Sequence, residues 1–320
     1  MRFLNKQVPP RHPYPRSQQG ITLIELMIAL VIGLLATGAM LKVYVDSSRL
    51  YRFNESLARI QENGRFGLEF IRRDARMAGF WGCNSAVIPK WHIPDSASAF
   101  KAGYVTGTDY DDLDDPDDLA DTITFTQAAS GSMVTNVVID SASSVVSVVS
   151  ADSLGDFADG DVLIITDCVT ADIFEFKSTG TELSKAYAAG SRLYRVQQTT
   201  FCIAEDADTA QPSLRRLVID PTKLTTDQNC LTDGQDLVGG IENMQILMGE
   251  DTNPDFDGSV NRYVDPSDLV GDHIVSTHIS LLAVSPYNNV TTEPAPYFFN
   301  GAWVGTGDMS TDDRYLRKDF

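Results

Sequence analysis

The chain has 320 residues, of which 43% are hydrophobic, so it is long and apolar enough to bury a substantial core. Its charge is uneven: residues 1–80 carry a net charge of +6, and residues 81–320 carry −25. Phosphate binding needs a basic face, so this acidic region excludes nucleic acid as a direct partner and is compatible with binding of cations.

The first element in chain order is an apolar run from Ile21 to Leu41, in which only Thr22, Glu25 and Thr37 are polar. As a helix it would be about 30 Å long, which matches the hydrocarbon thickness of a bilayer. It follows a proline-rich leader with four cations, Arg2, Lys6, Arg11 and Arg16. The positive-inside rule therefore predicts a cytoplasmic N-terminus and an extracytoplasmic remainder.

Three interpretations of this run are open. A secretory signal peptide would have a shorter apolar region and a small-residue cleavage site at its end. An ordinary signal anchor explains the length and the orientation, but it does not explain Glu25, because a carboxylate in a membrane is costly without a partner. The third interpretation is a processed segment in which Glu25 has such a partner.

The sequence "GITLIE", Gly20 to Glu25, resembles the prepilin cleavage motif of type IV pilins and type II secretion pseudopilins. The resemblance implies that a prepilin peptidase cuts after Gly20 and methylates the new N-terminus at Ile21, where the family usually has Phe. Glu25 would then pair with the free α-amino group of a neighbouring subunit in a helix bundle. Two charges that are each costly in hydrocarbon favour this pairing, which would set the axial register.

A second, amphipathic half continues the helix. Apolar and small residues recur at steps of three and four from Leu50 to Ala78, with charged residues between them. We predict one helix from about Ile21 to Ala78 that ends at Gly79. The stripe is expected to pack on a globular head; a coiled-coil dimer is the competing explanation.

Beyond residue 80 the pattern indicates strands, with β-branched or alternating residues between Gly, Asp and Pro. The predicted strands are 121–127, 134–139, 144–150, 161–167, 172–178, 192–203, 214–220, 242–250 and 273–285. The predicted fold class is therefore α+β and pilin-like, with a long N-terminal α-helix packed on an antiparallel β-sheet-rich globular head. We divide the chain into a leader (1–20), a membrane or filament-core helix half (21–41), an amphipathic helix half (42–79) and an extracytoplasmic head (80–320).

Four cysteines, Cys83, Cys168, Cys202 and Cys230, follow the apolar run. Their wide spacing without nearby His is poor for zinc, and an even number in an oxidising compartment favours two disulfides. Three connectivities are open, and sequence order favours Cys83–Cys168 and Cys202–Cys230.

One loop has the residue pattern of a calcium site. Oxygen-bearing side chains alternate at Asp251, Asn253, Asp255 and Asp257 before Gly258. Val264 stands where an EF-hand has its bidentate Glu, and an acidic turn explains the same composition. Calcium is thus the one cofactor considered. The acidic run 109–121 is predicted to be a solvated or cation-screened loop. The sequence shows no P-loop, HExxH or G-x-S-x-G pattern, so we predict a non-enzyme.

Later stretches narrow the resemblance to the PilW family of minor pilins. They are residues 72–83, "RRDARMAGFWGC", and residues 160–176, 241–264 and 313–320. Members of that family usually continue with another β-strand past the position of Phe320, so either the natural protein is longer than this sequence or an edge strand is missing.

The PilW resemblance implies co-assembly with other minor pilins in the inner membrane, priming of the type IV pilus, and a place at its tip between the major pilin and a tip adhesin. Twitching motility and cell adhesion would depend on it indirectly. Two alternatives are a J-type minor pseudopilin of a type II secretion system and a signal-anchored binding protein.

Overall fold

The longest element of the computed structural model is helix α1, Leu23–Ala75, which has 53 residues and is about 80 Å long at 1.5 Å per residue. A turn at residues 76–79 follows it, and Gly79 has a φ of +71°, the left-handed conformation in which glycine commonly ends helices. The Gly79 N–H then donates to the Thr126 carbonyl at 3.0 Å. The predicted long helix and its terminator are therefore confirmed.

The structure describes residues 20–82, 89–93, 104–109, 120–129, 133–134, 157, 159–177, 183–206, 209–219, 228–255, 257–270, 273–305, 309–310 and 312–320. Two compact units divide the chain, Met1–Arg52 and Phe53–Phe320, and α1 contributes to both. The first unit contains the apolar part of α1. The second contains the last turns of α1 and the head.

The described head is rich in strands. They are β1 Lys90–His92, β2 Val105–Thr108, β3 Thr122–Ala128, β4 Met133–Val134, β5 Val162–Thr166, β6 Ala171–Glu175, β7 Arg192–Glu205, β8 Pro212–Ile219, β9 Gln235–Gly239, β10 Ile241–Glu250, β11 Arg262–Val264, β12 Ile274–Val284, β13 Tyr297–Phe299, β14 Ala302–Val304 and β15 Arg317–Asp319. A one-turn helix, α2, spans Cys230–Asp233, and a 3-10 turn spans Pro266–Asp268.

Two sheets and a hairpin organise these strands. The larger sheet has the order β1-β6-β5-β7-β3-β2, with β4 and β8 also paired to β7, and β9 paired to β8. The smaller sheet has the order β11-β10-β12-β15, and β13 pairs with β14. Strand β7 has 14 residues, and it pairs with β5 near its start and with β3 and β8 further along, so one strand joins both parts of a curled sheet. The pairings are antiparallel except for β1 with β6.

Within the second unit, the end of α1 packs against both sheets. Ile60 and Ile71 join a core cluster with Phe125, Phe201 and Met244 and further apolar residues of β8, β9, β10 and β12. The stripe is thus buried by the chain's own sheets from Ile60 onward, which contradicts the coiled-coil explanation for this part. Leu50, its first predicted residue, is exposed, and Phe53 and Leu57 are half-buried. The α+β, pilin-like prediction is confirmed.

Glycines let the helix approach the sheets closely. A Cβ on Gly64 would lie 2.3 Å from the Phe320 ring, and one on Gly67 would lie 3.0 Å from a Leu281 methyl group. Both glycines are buried on the face of α1 that contacts the core. Close packing, rather than bending, is therefore what these two glycines permit.

Seven of the nine predicted strands correspond to observed strands, which are β3, β5, β6, β7, β8, β10 and β12. Predicted strands 134–139 and 144–150 lie almost wholly outside the described residues. The acidic run 109–121 was predicted to be solvated, and at Asp121 that is wrong. Asp121 is buried, and its carboxylate accepts the Ile246 N–H at 2.8 Å, which joins β3 to β10.

Candidate membrane and assembly site

Helix α1 begins two residues after the predicted cleavage point. Gly20, Ile21 and Thr22 are exposed and precede the first helical residue, Leu23. The Gly20–Ile21 peptide bond is therefore outside the hydrogen-bonded helix, so breaking it removes no helical hydrogen bond.

Thr22 caps the helix. Its hydroxyl accepts the Glu25 backbone N–H at 3.3 Å, and its carbonyl accepts the Leu26 N–H at 3.1 Å. Ser or Thr followed three residues later by Glu is the sequence signature of a capping box. This role of Thr22 was not predicted, although the T-x-x-E spacing to Glu25 was sufficient to find it.

Glu25 lies in the first turn of α1, where the positive end of the helix dipole partly offsets the cost of its charge. Within the described part of its own unit, residues 20–52, the exposed carboxylate forms no ion pair. It is surrounded along the chain by apolar side chains such as Ile21, Ile24 and Ile28, each at least 55% exposed. A charge in such surroundings is costly unless an oppositely charged group or water stabilises it.

The apolar part of α1 is uncovered in this unit. The helix is long and apolar enough to cross a membrane, and none of its most apolar 18-residue stretch is buried. The exposed large apolar residues run from Ile21 to Val45. Since soluble monomers rarely expose continuous apolar surface of this size, the helix needs a bilayer or other helices around it. This finding fits membrane anchoring.

Polar contacts fix the other end of α1 in the head unit. Arg216 on β8 donates from Nε to Asp74 at 2.9 Å, and Asn63 donates from Nδ2 to the Gly239 carbonyl at 2.8 Å. Asp74 is nearly buried, so removing Arg216 would leave a buried charge without its partner.

A second network centres on Arg215, whose guanidinium donates to Asp236 and to the Leu231 and Glu205 carbonyls. The Ser213 hydroxyl, and after it Arg215, lower the pKa of Asp236 below its usual range by hydrogen bonding to the carboxylate. The network joins β8 to β9, α2 and the end of β7.

The predicted Cys202–Cys230 disulfide is confirmed, with an S–S distance of 2.02 Å, and it connects β7 to α2. Cys168 is also disulfide-bonded. Cys83 lies outside the described residues, so the predicted Cys83–Cys168 pairing stays a prediction.

The 251–258 loop uses its first carboxylate to organise its own backbone. The two oxygens of the buried Asp251 accept the N–H groups of Asn253 at 2.9 Å and Gly258 at 2.8 Å. The Ser259 N–H and hydroxyl lower the pKa of Asp257. Asp255 is exposed. Among the described residues no group of three or more His, Cys, Asp or Glu is arranged to hold a metal ion. These contacts are those of an acidic turn, and calcium binding stays a prediction.

Comparison with known proteins finds two matching family models. The prokaryotic N-terminal methylation motif matches residues 15–41, which include Gly20, Ile21 and Glu25. PilW, type IV pilus-assembly protein W, matches residues 200–320, from the middle of β7 through β15. No curated protein and no solved structure matches the chain.

The methylation motif, the uncovered N-terminal helix and the β-rich head together support a class of protein, in general terms a minor pilin of the type IV pilus system. Within that class the similarity is to PilW, which confirms the resemblance found in the sequence. Of the four stretches that resemble PilW in the sequence, the matched region includes 241–264 and 313–320. The other two, 72–83 and 160–176, lie outside it. Both matched families are of structural pilus proteins.

Proposed function

We propose that this chain is a minor pilin whose assembly site is the segment Gly20–Glu25, made functional by proteolysis. A prepilin peptidase would cut after Gly20, and Ile21 would be methylated. The observation that carries this proposal is the position of the Gly20–Ile21 bond, exposed and two residues ahead of α1, within the region that matches the methylation motif.

Cutting at this bond creates a partner for Glu25, whose carboxylate forms no ion pair within residues 20–52. The new α-amino group at Ile21 is a cation at the start of an apolar helix, and Glu25 is an anion four residues further. In a bundle of such helices, the amino group of one subunit pairs with Glu25 of its neighbour. Each charge is costly alone in hydrocarbon, so pairing specifies the axial offset between subunits.

The role that we propose for the assembled chain is to co-assemble with other minor pilins in the inner membrane and to prime the pilus. The chain would then lie at the pilus tip with the tip adhesin, above the major pilin, and support twitching motility and adhesion. Before assembly its N-terminus would be cytoplasmic and its head periplasmic. The role is structural, without catalysis.

A J-type minor pseudopilin of a type II secretion system is the alternative, because the methylation motif serves both systems. The match of residues 200–320 to PilW favours the pilus. Restoration of pili, rather than of protein secretion, by this chain in a strain that lacks its own gene would distinguish the two.

Processing is tested by mass spectrometry of the full chain produced with and without prepilin peptidase. We expect a mature chain that starts at Ile21 and carries one additional methyl group only when the peptidase is present. An intact leader in both samples, or cleavage after the apolar run, would contradict the proposal and favour a signal-anchored binding protein or a secreted one.

Pairing is tested by Glu25→Gln, which keeps the size and removes the charge. The variant should be processed normally, yet fail to restore pili. Glu62→Gln is the matched control, because Glu62 is an exposed acid on the same helix outside the apolar run. Normal pili with Glu25→Gln would refute the pairing while leaving the processing result intact.

A further inference from the structure

A basic and aromatic segment of α1 follows the apolar run directly, and we call residues 42–52 the collar. Its charged and aromatic side chains are Lys42, Tyr44, Asp46, Arg49, Tyr51 and Arg52. All six are exposed; Tyr44 is 72% exposed and Tyr51 71%. Within residues 20–52, the three cations have no ion-pair partner.

The collar has two faces. At about 100° per residue, Lys42, Arg49 and Arg52 fall within an arc of roughly 80°, and Asp46 lies beside them. Tyr44 and Tyr51 are seven residues apart and lie on the opposite side of the helix. The net charge of the collar is +2.

The length of the apolar run determines the depth of the collar in a bilayer. Ile21–Leu41 spans about 30 Å, so Lys42 and Tyr44 lie where the hydrocarbon ends and the headgroups begin. Arg49 is about 10 Å further, and its long side chain can extend along the helix to reach the same layer. Tyr and cationic residues are the types that favour this interface.

We propose that the collar binds the phosphates of anionic phospholipids at the membrane face on which the head lies, and so sets how deeply α1 sits. The proposal rests on the membrane anchoring proposed above but not on processing or pilus membership. Charge complementarity supports it, because each Lys or Arg near an anionic surface gains roughly fivefold in binding. Residues 81–320, with a net charge of −25, are repelled by the same surface.

Processing would make the collar more important. Cleavage after Gly20 removes Arg2, Lys6, Arg11 and Arg16 along with the leader. Apart from the new α-amino group at Ile21, the cations nearest to the apolar run in the remaining sequence are then those of the collar. In the processed chain, anionic lipids would therefore attract the helix chiefly through the collar, at the membrane face on which the head lies.

Local lipid composition beside the collar tests this proposal. The full chain with Ser47→Cys carries a fluorophore at the new thiol, in nanodiscs that hold one chain each and contain phosphatidylcholine and phosphatidylglycerol. The same chain without the new thiol gives the background. Headgroup spin labels are placed on one lipid or on the other, and quenching of the fluorophore by each reports the enrichment of that lipid.

We expect phosphatidylglycerol to be enriched severalfold beside residue 47, and the enrichment to decline as salt is added. Lys42→Gln/Arg49→Gln/Arg52→Gln should abolish it. Arg59→Gln/Arg65→Gln/Arg72→Gln, three exposed cations further along α1, should leave it unchanged.

Equal quenching by both lipids in the wild-type chain, or an enrichment that survives in the collar variant, would overturn the proposal. No quenching by either lipid would mean that α1 is not in the membrane, which contradicts the proposed anchoring itself.

Discussion

The ring of Phe320 lies on the surface of Gly64, so closely that a Cβ at residue 64 would come within 2.3 Å of a ring carbon. The Phe320 N–H and carbonyl also form hydrogen bonds with Leu281 of β12, both at 3.0 Å. The helix, β12 and Phe320 are therefore held together at one point of the head unit.

Gly64→Ala should destabilise the head by about 1–2 kcal/mol. Overpacking costs about 1–3 kcal/mol, and the better helix propensity of Ala returns up to about 1 kcal/mol. Thermal or urea unfolding of the chain in detergent measures the difference. Gly33→Ala is the matched control, because nothing lies within 4 Å of a Cβ there.

When Phe320→Ala is combined with Gly64→Ala, the total loss should be smaller than the sum of the two single losses, since the clash disappears with the ring. If the two substitutions are simply additive, the ring does not constrain residue 64.

Replacing both Cys202 and Cys230 with Ala should lower the free energy of unfolding by about 3.5 kcal/mol, the loop-entropy value for a separation of 28 residues. The double variant is preferred to reduction, which would also affect the disulfide of Cys168. Denaturant unfolding at neutral pH measures it, and a loss below about 1 kcal/mol would indicate that the unfolded chain is already compact there.

Asp236→Asn should make the head less stable at neutral pH, and the difference from the wild type should shrink in acid. The pKa of Asp236 is lowered in the folded state, so its contribution is present above the unfolded pKa of about 4 and is lost as the pH falls toward the folded pKa. Urea unfolding from pH 7 to pH 3 measures the trend.

Glu293→Gln is the control for Asp236→Asn, because Glu293 is an exposed carboxylate outside the Arg215 network. A stability difference that stays constant with pH would mean that the Asp236 charge is not what stabilises the network.

Asp255→Ala tests the remaining prediction for the 251–258 loop. If calcium binds there, the wild-type chain should melt at a higher temperature with calcium than with chelator, and the variant should lose that increment. Ser267→Ala, in a neighbouring exposed turn, is the control. If chelator does not change the wild-type melting temperature, the loop does not bind calcium and is an acidic turn stabilised by Asp251.

The sequence was informative where a pattern extends over many residues. The long apolar and amphipathic periodicity predicted α1, and strand patterns of nine or more residues predicted β7, β10 and β12. Short strands such as β11 and β15, of three residues each, have too little alternation to be recognised.

Contacts between distant residues could not be predicted. Gly64 and Phe320 lie near opposite ends of the second unit's sequence, 256 residues apart. Asp121 continues an acidic run in the sequence, and only the fold brings it to the Ile246 N–H of β10. The assembly motif is different, because Gly20, Thr22 and Glu25 lie within six consecutive residues and act through local sequence.

The disulfide between Cys202 and Cys230 also has a consequence for the order of export and oxidation. Thiols stay reduced in the cytoplasm, so on the proposed topology this bond closes only after the head has been exported. The exported head is then more stable than the same residues were during synthesis, and its unfolding becomes rarer. Oxidation would thus make export effectively one-way, before any subunit meets its neighbours.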